Sequence, residues 1–192
     1  MLEYIRKIIN DSLEVRRALI ADEAILRKIE LIAGACIHAL SNDRKILFCG
    51  NGGSAADAQH LAAELTGRFM KDRPALYAEA LHVNTSALTA IANDFGYDHI
   101  FERQVEAMGR KGDVLIGLST SGNSQNVLLA MQKARKLEMT TIGMSGITGG
   151  KFTDVSDILL CVPSDSTARI QEVHMLVGHI ICGIIENHFF SD

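Results

Sequence analysis

Apolar residues recur at two different spacings along this chain, and the change of spacing divides it. Within residues 2–40, Leu2, Ile5, Ile8, Ile9, Leu13 and Val15 fall near a 3.6-residue period, as do Ile25, Ile29, Ile32 and Ile37. That spacing predicts two amphipathic helices, with a break near Ala21 and Asp22 and an end at "SNDR" (41–44). From residue 45 the texture changes. "KILFCG" (45–50), "DVLIGLS" (113–119), "TTIGMS" (140–145) and "DILLCV" (157–162) are short apolar runs bounded by turn residues, the pattern of buried strands. "AEALHV" (78–83) is a weaker fifth strand. Helical segments are expected between them at 54–69, 85–92, 100–108 and 124–137, and a long helix over 167–190 closes the chain.

Continuous apolar strands alternating with helices imply a parallel sheet covered on both faces. The expected fold is therefore α/β, a three-layer α/β/α sandwich with a central parallel sheet and an N-terminal helical extension over 1–40, all within one domain spanning 1–192. In such sheets ligands sit at the carboxyl ends of the strands. The closing helix is apolar nearly all round, with Ile170, Val173, Leu176, Val177, Ile180, Ile181, Ile184 and Ile185. A helix apolar on every side is buried on every side, and one sheet covers about half of it. A second copy of the chain is expected to cover the rest, making the protein a homo-oligomer.

Composition adds exclusions. The 192 residues suit one domain, and 47% apolar with 22% charged residues is ordinary for a globular chain. Net charge is -4 and no Lys/Arg run exceeds two residues, so no nucleic-acid footprint is visible. No window approaches the ~18 uninterrupted apolar residues of a membrane span, and the N-terminus lacks a signal peptide's apolar core. Cys36, Cys49, Cys161 and Cys182 are scattered in apolar surroundings and read as reduced, buried thiols of a cytoplasmic protein.

Two loops at strand ends carry candidate chemistry. "LSTSGNSQN" (118–126) holds four hydroxyls and a glycine without a Lys, Arg or His. It lies where a strand ends and a helix begins. A helix N-terminus supplies unpaired N–H groups and about half a positive charge, so Ser119, Thr120, Ser121 and Ser124 form a phosphate cradle that needs no cation. The plain alternative is an ordinary N-cap by Ser121, Asn123 or Ser124. "GNGGSAAD" (50–57) also joins a strand to a helix, without the spacing of a dinucleotide fingerprint or a P-loop lysine. Gly52 and Gly53 allow close backbone approach, while Asn51 and Ser54 offer hydrogen bonds to ligand hydroxyls. Together the two loops point to a sugar phosphate.

Metal-type residues follow. His60 and Glu64 stand at i and i+4 on one face of the helix that starts at the glycine loop, a donor pair suited to zinc or a similar divalent ion. Alone, such a pair is commonly a solvated surface pair. Gln171, His174 and His179 interrupt the apolar closing helix, and buried polar groups need partners, either an ion or a backbone carbonyl. Gln171 and His179 are ~12 Å apart along a straight helix. Sharing one ion would require both to lean inward, an irregular first turn, or a ligand from a neighbouring chain.

At these residues a resemblance becomes specific. "CGNGGSAADAQHLAAELTGRF", "ANDFGYDHIFERQVEAMGRKGDVLIGLSTSGNSQNV" and "ARIQEVHMLVGH" closely resemble the bacterial phosphoheptose isomerases, of the sugar-isomerase (SIS) fold, over essentially the whole chain. The resemblance implies one Zn2+ per subunit held by His60, Glu64, Gln171 and His179. It implies phosphate binding by Ser119, Thr120, Ser121 and Ser124, and sugar binding by Asn51, Gly52, Gly53, Glu64, Asn93, Asp94 and Gln171. It also implies a homotetramer. One departure is Ala168, where some members carry Asp.

The implied reaction converts sedoheptulose 7-phosphate into D-glycero-D-manno-heptose 7-phosphate, supplying heptose for lipopolysaccharide or another surface glycan. Glu64 is the expected base and His179 the expected acid. A hydride shift between C1 and C2 competes with proton transfer. A non-catalytic relative that binds the replication initiator DnaA is the alternative; the presence of both Glu64 and His179 favours catalysis. A pentose-phosphate isomerase of the same fold usually adds a regulatory domain, for which 192 residues leave no space.

Overall fold

The computed structural model describes residues 1–191. The two N-terminal helices are α1 (Leu2–Ala21) and α2 (Glu23–Ser41). They break at Asp22, whose extended backbone ends one helix and whose carboxylate caps the next, accepting from the amides of Ala24 at 2.9 Å and Ile25 at 3.3 Å. The side-chain oxygen satisfies donors that a helix start leaves unpaired, which is why the break falls where the periodicity placed it.

Beyond α2 come β1 (Ile46–Gly50), α3 (Gly53–Thr66), β2 (Ala78–Ala80), α4 (Thr85–Phe95), α5 (Ile100–Met108), β3 (Val114–Leu118), α6 (Gln125–Lys136), β4 (Thr140–Ser145), β5 (Ile158–Cys161) and α7 (Thr167–Phe189). Every expected element is present, with α3 and the β2 strand shorter than their patterns suggested. Gly67 ends α3 by donating its amide to Ala63 O. Short 3-10 turns at Tyr97–His99 and Gly150–Asp154 have no periodic signature and were not anticipated.

All strand pairs are parallel, in the order β2-β1-β3-β4-β5. Side chains alternate between faces with a period of two. Ile46, Phe48, Val114, Ile116 and Leu118 enter one core with α2, α3 and α7. Leu47, Cys49 and Leu115 enter the other with α5 and α6. Strands buried on both faces are mostly apolar, which accounts for the contiguous runs, although β4 also buries Thr141 and Ser145. Cys36, Cys49 and Cys182 are buried, and Cys161 is partly exposed.

The chain leaves β1 on one side to form β2 and leaves β3 on the other to form β4, so the strand order reverses between β1 and β3. A crevice opens at such a switch point, outside the carboxyl ends of the strands. The loops that flank it are 51–52 and 119–124, the glycine and hydroxyl loops.

α7 is only partly covered by its own chain. Ile170, Val173, Val177, Ile181 and Ile185 are buried, while Ile180 and Ile184 are 40% and 39% exposed. Its length and mean hydropathy of 1.2 match those of a membrane span, which a count of uninterrupted apolar residues does not register. Its buried face is packed into the first core. On α1 only Leu19 is buried, and Ile5, Ile9, Leu13 and Ile20 are exposed.

His174 on α7 adopts the plain reading of a core histidine. It is fully buried, its Nε2 lies 3.4 Å from Ser145 O, and its Nδ1 has no partner. Burial pushes its pKa down to about 4, opposed by the Ser145 contact. The folded state therefore holds it neutral below the ordinary histidine range. Unfolding releases it to take up a proton, so its effect lowers stability as pH falls from 6.5 toward 4. The slope approaches about 1.4 kcal/mol per pH unit. Asp57 works in the opposite sense, since burial raises it to about 6 against the pull of His60. His174→Leu is expected to lose less stability than wild type between pH 6.5 and 4.5 in denaturant titrations. Parallel pH profiles would refute the assignment.

Candidate active site

The hydroxyl loop begins where β3 ends. Ser124 is the N-cap residue of α6 by position, yet its hydroxyl makes no cap hydrogen bond. It turns instead to Ser119 Oγ at 2.9 Å, and Ser121 Oγ lies 3.4 Å from the same atom. The plain N-cap alternative holds only in part, since Ser121 Oγ accepts from Asn123 N at 3.2 Å in an adjacent turn. The amides of Gln125 and Asn126 have no protein acceptor among the described residues. Free amides at a helix start beside converging hydroxyls offer the donors that an anion requires.

The loop is held from behind. Gly122 has φ +65°, and a Cβ built there would lie 2.0 Å from Gly149 O. Asn123 Oδ1 accepts from Lys151 N at 3.1 Å. Thus the 149–151 segment braces the loop from the side of β4.

The glycine loop is stitched to it. Asn51 and Asn126 exchange two amide hydrogen bonds, Asn51 Nδ2 to Asn126 Oδ1 at 2.9 Å and Asn126 Nδ2 to Asn51 Oδ1 at 2.8 Å. Tyr97 Oη donates to Asn51 Oδ1 at 3.0 Å. Asn126 is 2% exposed, and its role as the tie between loops was not read from sequence, although it ends the hydroxyl stretch. Asn93 and Asp94 lie exposed near the end of α4 and bond to each other at 2.8 Å. They hydrogen-bond to neither loop among the described residues; Tyr97, just beyond them, does.

The donor cluster forms between α3 and α7. These helices pack closely at Gly178, where a Cβ would lie 2.4 Å from Leu61 Cδ2. That closeness brings the neighbours of both residues together. His179 Nε2 is 3.1 Å from His60 Nε2, and His60 Nε2 is 2.9 Å from Glu64 Oε1. The three side chains meet as one potential metal group. Two nitrogens bound to a tetrahedral zinc stand about 3.3 Å apart, close to the separation found. The residues present fit a divalent ion. Phe69 stacks on the His179 ring at 5.5 Å.

Gln171 lies against the glycine loop. α7 is helical without interruption from Thr167, so no irregular turn brings Gln171 toward His179. A Cβ on Gly53 would fall 2.5 Å from its Nε2. Gly53 and His60 are about 10 Å apart along α3. The carboxamide thus lies at the glycine-loop end of α3, and His60, Glu64 and His179 are the imidazoles and carboxylate that meet. Asp57, one turn before His60, was also missed. It lines a cleft with Gln171 and Ala168, and its Oδ2 is buried without a partner. The i, i+3, i+7 spacing of Asp57, His60 and Glu64 is the signal that could have found it.

Residues 9–146 match the SIS domain family. A phosphoheptose isomerase from Sulfurimonas denitrificans is 50% identical over 192 residues, covering 100% of this chain and 98% of its own. This chain belongs to the phosphoheptose isomerase family. A family member from Helicobacter pylori is 58% identical over 167 residues, covering 87% of this chain and 85% of its own. The solved structure of phosphoheptose isomerase GmhA from Neisseria gonorrhoeae superposes with a TM-score of 0.91 at 46% identity, covering 97% of this chain and 98% of that one. As a phosphoheptose isomerase family member the chain has the α/β sandwich that its strand pattern predicted, in the sugar-isomerase form that the resemblance implied.

Proposed function

We propose that this protein is an aldose–ketose isomerase converting sedoheptulose 7-phosphate into D-glycero-D-manno-heptose 7-phosphate. The observation that carries the reading is the convergence of His60, Glu64 and His179 on one point. It occurs in a chain with isomerase relatives at about half identity over its full length. The DnaA-binding alternative is not favoured, because those relatives are named as enzymes.

Chemically, the task divides between the two ends of the α3–α7 pair. At the loop end, Ser119, Thr120, Ser121 and Ser124 bind the phosphate with the α6 amides, each charged hydrogen bond contributing about 1.5–3 kcal/mol. Asn51, Gly52, Gly53, Asn93, Asp94 and Gln171 orient the sugar hydroxyls. At the cluster, Glu64 takes the proton from one carbon and returns it to its neighbour. Its Oε1 is engaged with His60, and its Oε2 has no protein donor among the described residues, so one oxygen is open for that work. His179 serves the sugar oxygens as acid. His60, Glu64 and His179 would hold the Zn2+, with Gln171 as the fourth donor. When bound, the ion supplies Lewis-acid polarisation of the carbonyl and stabilises developing negative charge.

The domain is read as one SIS unit over 1–192, with 1–40 used in packing between copies. Exposed Ile5, Ile9 and Leu13 on α1, with Ile180 and Ile184 on α7, support a homo-oligomer, taken as a tetramer in the cytoplasm without nucleic-acid or membrane partners. A single-subunit mass by light scattering would overturn the assembly. The function is tested by incubating purified protein with sedoheptulose 7-phosphate and analysing products with and without a chelator. An aldose product that disappears on chelation is expected. Unchanged substrate in the presence of added zinc would refute the reading.

A further inference from the structure

The segment between α3 and β2 holds a buried ion pair that the reaction itself does not use. Glu186, near the end of α7, and Arg73 have side chains only 2% and 1% exposed and meet at 3.1 Å. Glu186 Oε1 accepts from Phe69 N at 3.2 Å and Arg73 Nε at 3.1 Å. Its Oε2 accepts from Met70 N at 2.9 Å and Lys71 N at 3.1 Å. Burial pushes this carboxyl up, but the amides of Met70, Phe69 and Lys71 and the Arg73 guanidinium outweigh it and leave the group below the ordinary range. It is thus held as a carboxylate.

Arg73 turns its other donors to the end of α3 and, through Nη1 at 3.0 Å, to Pro74 O. Its Nη2 donates to Glu64 O at 2.7 Å, and its Nη1 donates to Leu65 O at 2.7 Å and Gly67 O at 3.3 Å. Those carbonyls have no helical partner because the helix stops there. The pair therefore joins the end of the helix that carries His60 and Glu64 to the helix that carries His179. It also fixes the backbone of Phe69, whose ring stacks on His179 and lies 3.6 Å from a Cβ built on Gly183.

A buried ion pair is a poor device for stability alone, since apolar residues of similar size commonly hold two elements together equally well. What it adds is direction. Two carboxylate oxygens accepting four N–H donors fix the loop in distance and angle, and apolar packing tolerates sliding.

We propose that Glu186 and Arg73 are positioning residues that set the spacing of His60 and Glu64 against His179, with Phe69 as the part that orients the His179 ring. Neither touches substrate. Partners that orient ligating groups typically govern metal affinity by about 10–100-fold, so this effect should appear there first. Only the kinetic part of the test rests on the isomerase reading.

The experiment titrates zinc against a chromophoric chelator in wild type, Glu186→Gln and Phe69→Leu, each counted per folded chain. Glu186→Gln keeps the size but loses the charge, and an affinity loss of about tenfold or more is expected. Phe69→Leu keeps the amide that Glu186 accepts and removes the stacked ring, so a smaller loss in the same direction is expected. Should Glu186→Gln fail to fold, Phe69→Leu decides. In turnover, kcat falls while KM stays near wild type, because the phosphate loop is braced from the 149–151 segment. Wild-type zinc affinity in the folded variants overturns the proposal, including the case where only thermal stability drops. Inactive wild type with the affinity losses intact would sink the isomerase reading and leave this one standing.

Discussion

Glu64→Gln should reduce kcat by roughly 10²–10⁴-fold in a protein that folds and assembles as wild type does. The substitution preserves side-chain size on a half-buried helix face, and the backbone carbonyl that Arg73 uses is untouched. What disappears is the basic oxygen and one negative charge of the donor cluster. Because the same carboxylate is a proposed metal ligand, zinc titration must accompany the kinetics. A kcat within threefold of wild type, at full metal loading, would remove Glu64 as base. Running the wild-type reaction in D2O then separates the two chemistries. Deuterium at the exchanged carbon means that a proton visits a protein group and solvent, whereas its complete absence points to a hydride shift.

Gly122→Ala is expected to raise KM for the sugar phosphate by about a hundredfold, the loss of one or two charged hydrogen bonds. Two separate obstacles act at this position. A φ of +65° strains any residue with a Cβ, and the new carbon would stand 2.0 Å from Gly149 O, a backbone atom that cannot rotate away. The loop must therefore move, and Ser119, Ser121 and Ser124 lose their common focus. Gly112→Ala is the control. Its φ of +86° imposes comparable strain, but its nearest neighbour is Arg44 Nε at 3.4 Å, on a loop away from the crevice. It should lose stability with KM unchanged. Equal KM values for the two variants would mean that the hydroxyl loop does not hold the phosphate.

The strands and most helix limits were legible in the sequence because they follow from local requirements. A strand buried on both faces favours apolar residues at every position, and 46–50 and 114–118 have them, while 140–145 keeps Thr141 and Ser145 inside. Asp22 marked its own break, since a short carboxylate at that point caps whatever helix follows. The two loops were legible for the same reason: glycine and hydroxyl residues at a strand-to-helix junction create donors wherever the strand is placed.

The tertiary structure alone decided which of these local features meet. Asn51 pairs with Asn126 because the chain reverses direction across the sheet between β1 and β3, and nothing near either residue encodes that order. His60 and His179 meet because Gly178 admits Leu61, a contact whose two halves are ordinary when read separately. The same packing set Gln171 beside Gly53 and His174 into the core, although Gln171, His174 and His179 looked equivalent along the chain. Helical spacing gives the angle at which each leaves the axis, but only the neighbouring helix determines whether it finds an imidazole, a glycine loop or a carbonyl. The Arg73–Glu186 pair is the extreme case. Two charges 113 residues apart have no local signature, and their burial is tolerable only once the fold has gathered the amides and carbonyls that satisfy both.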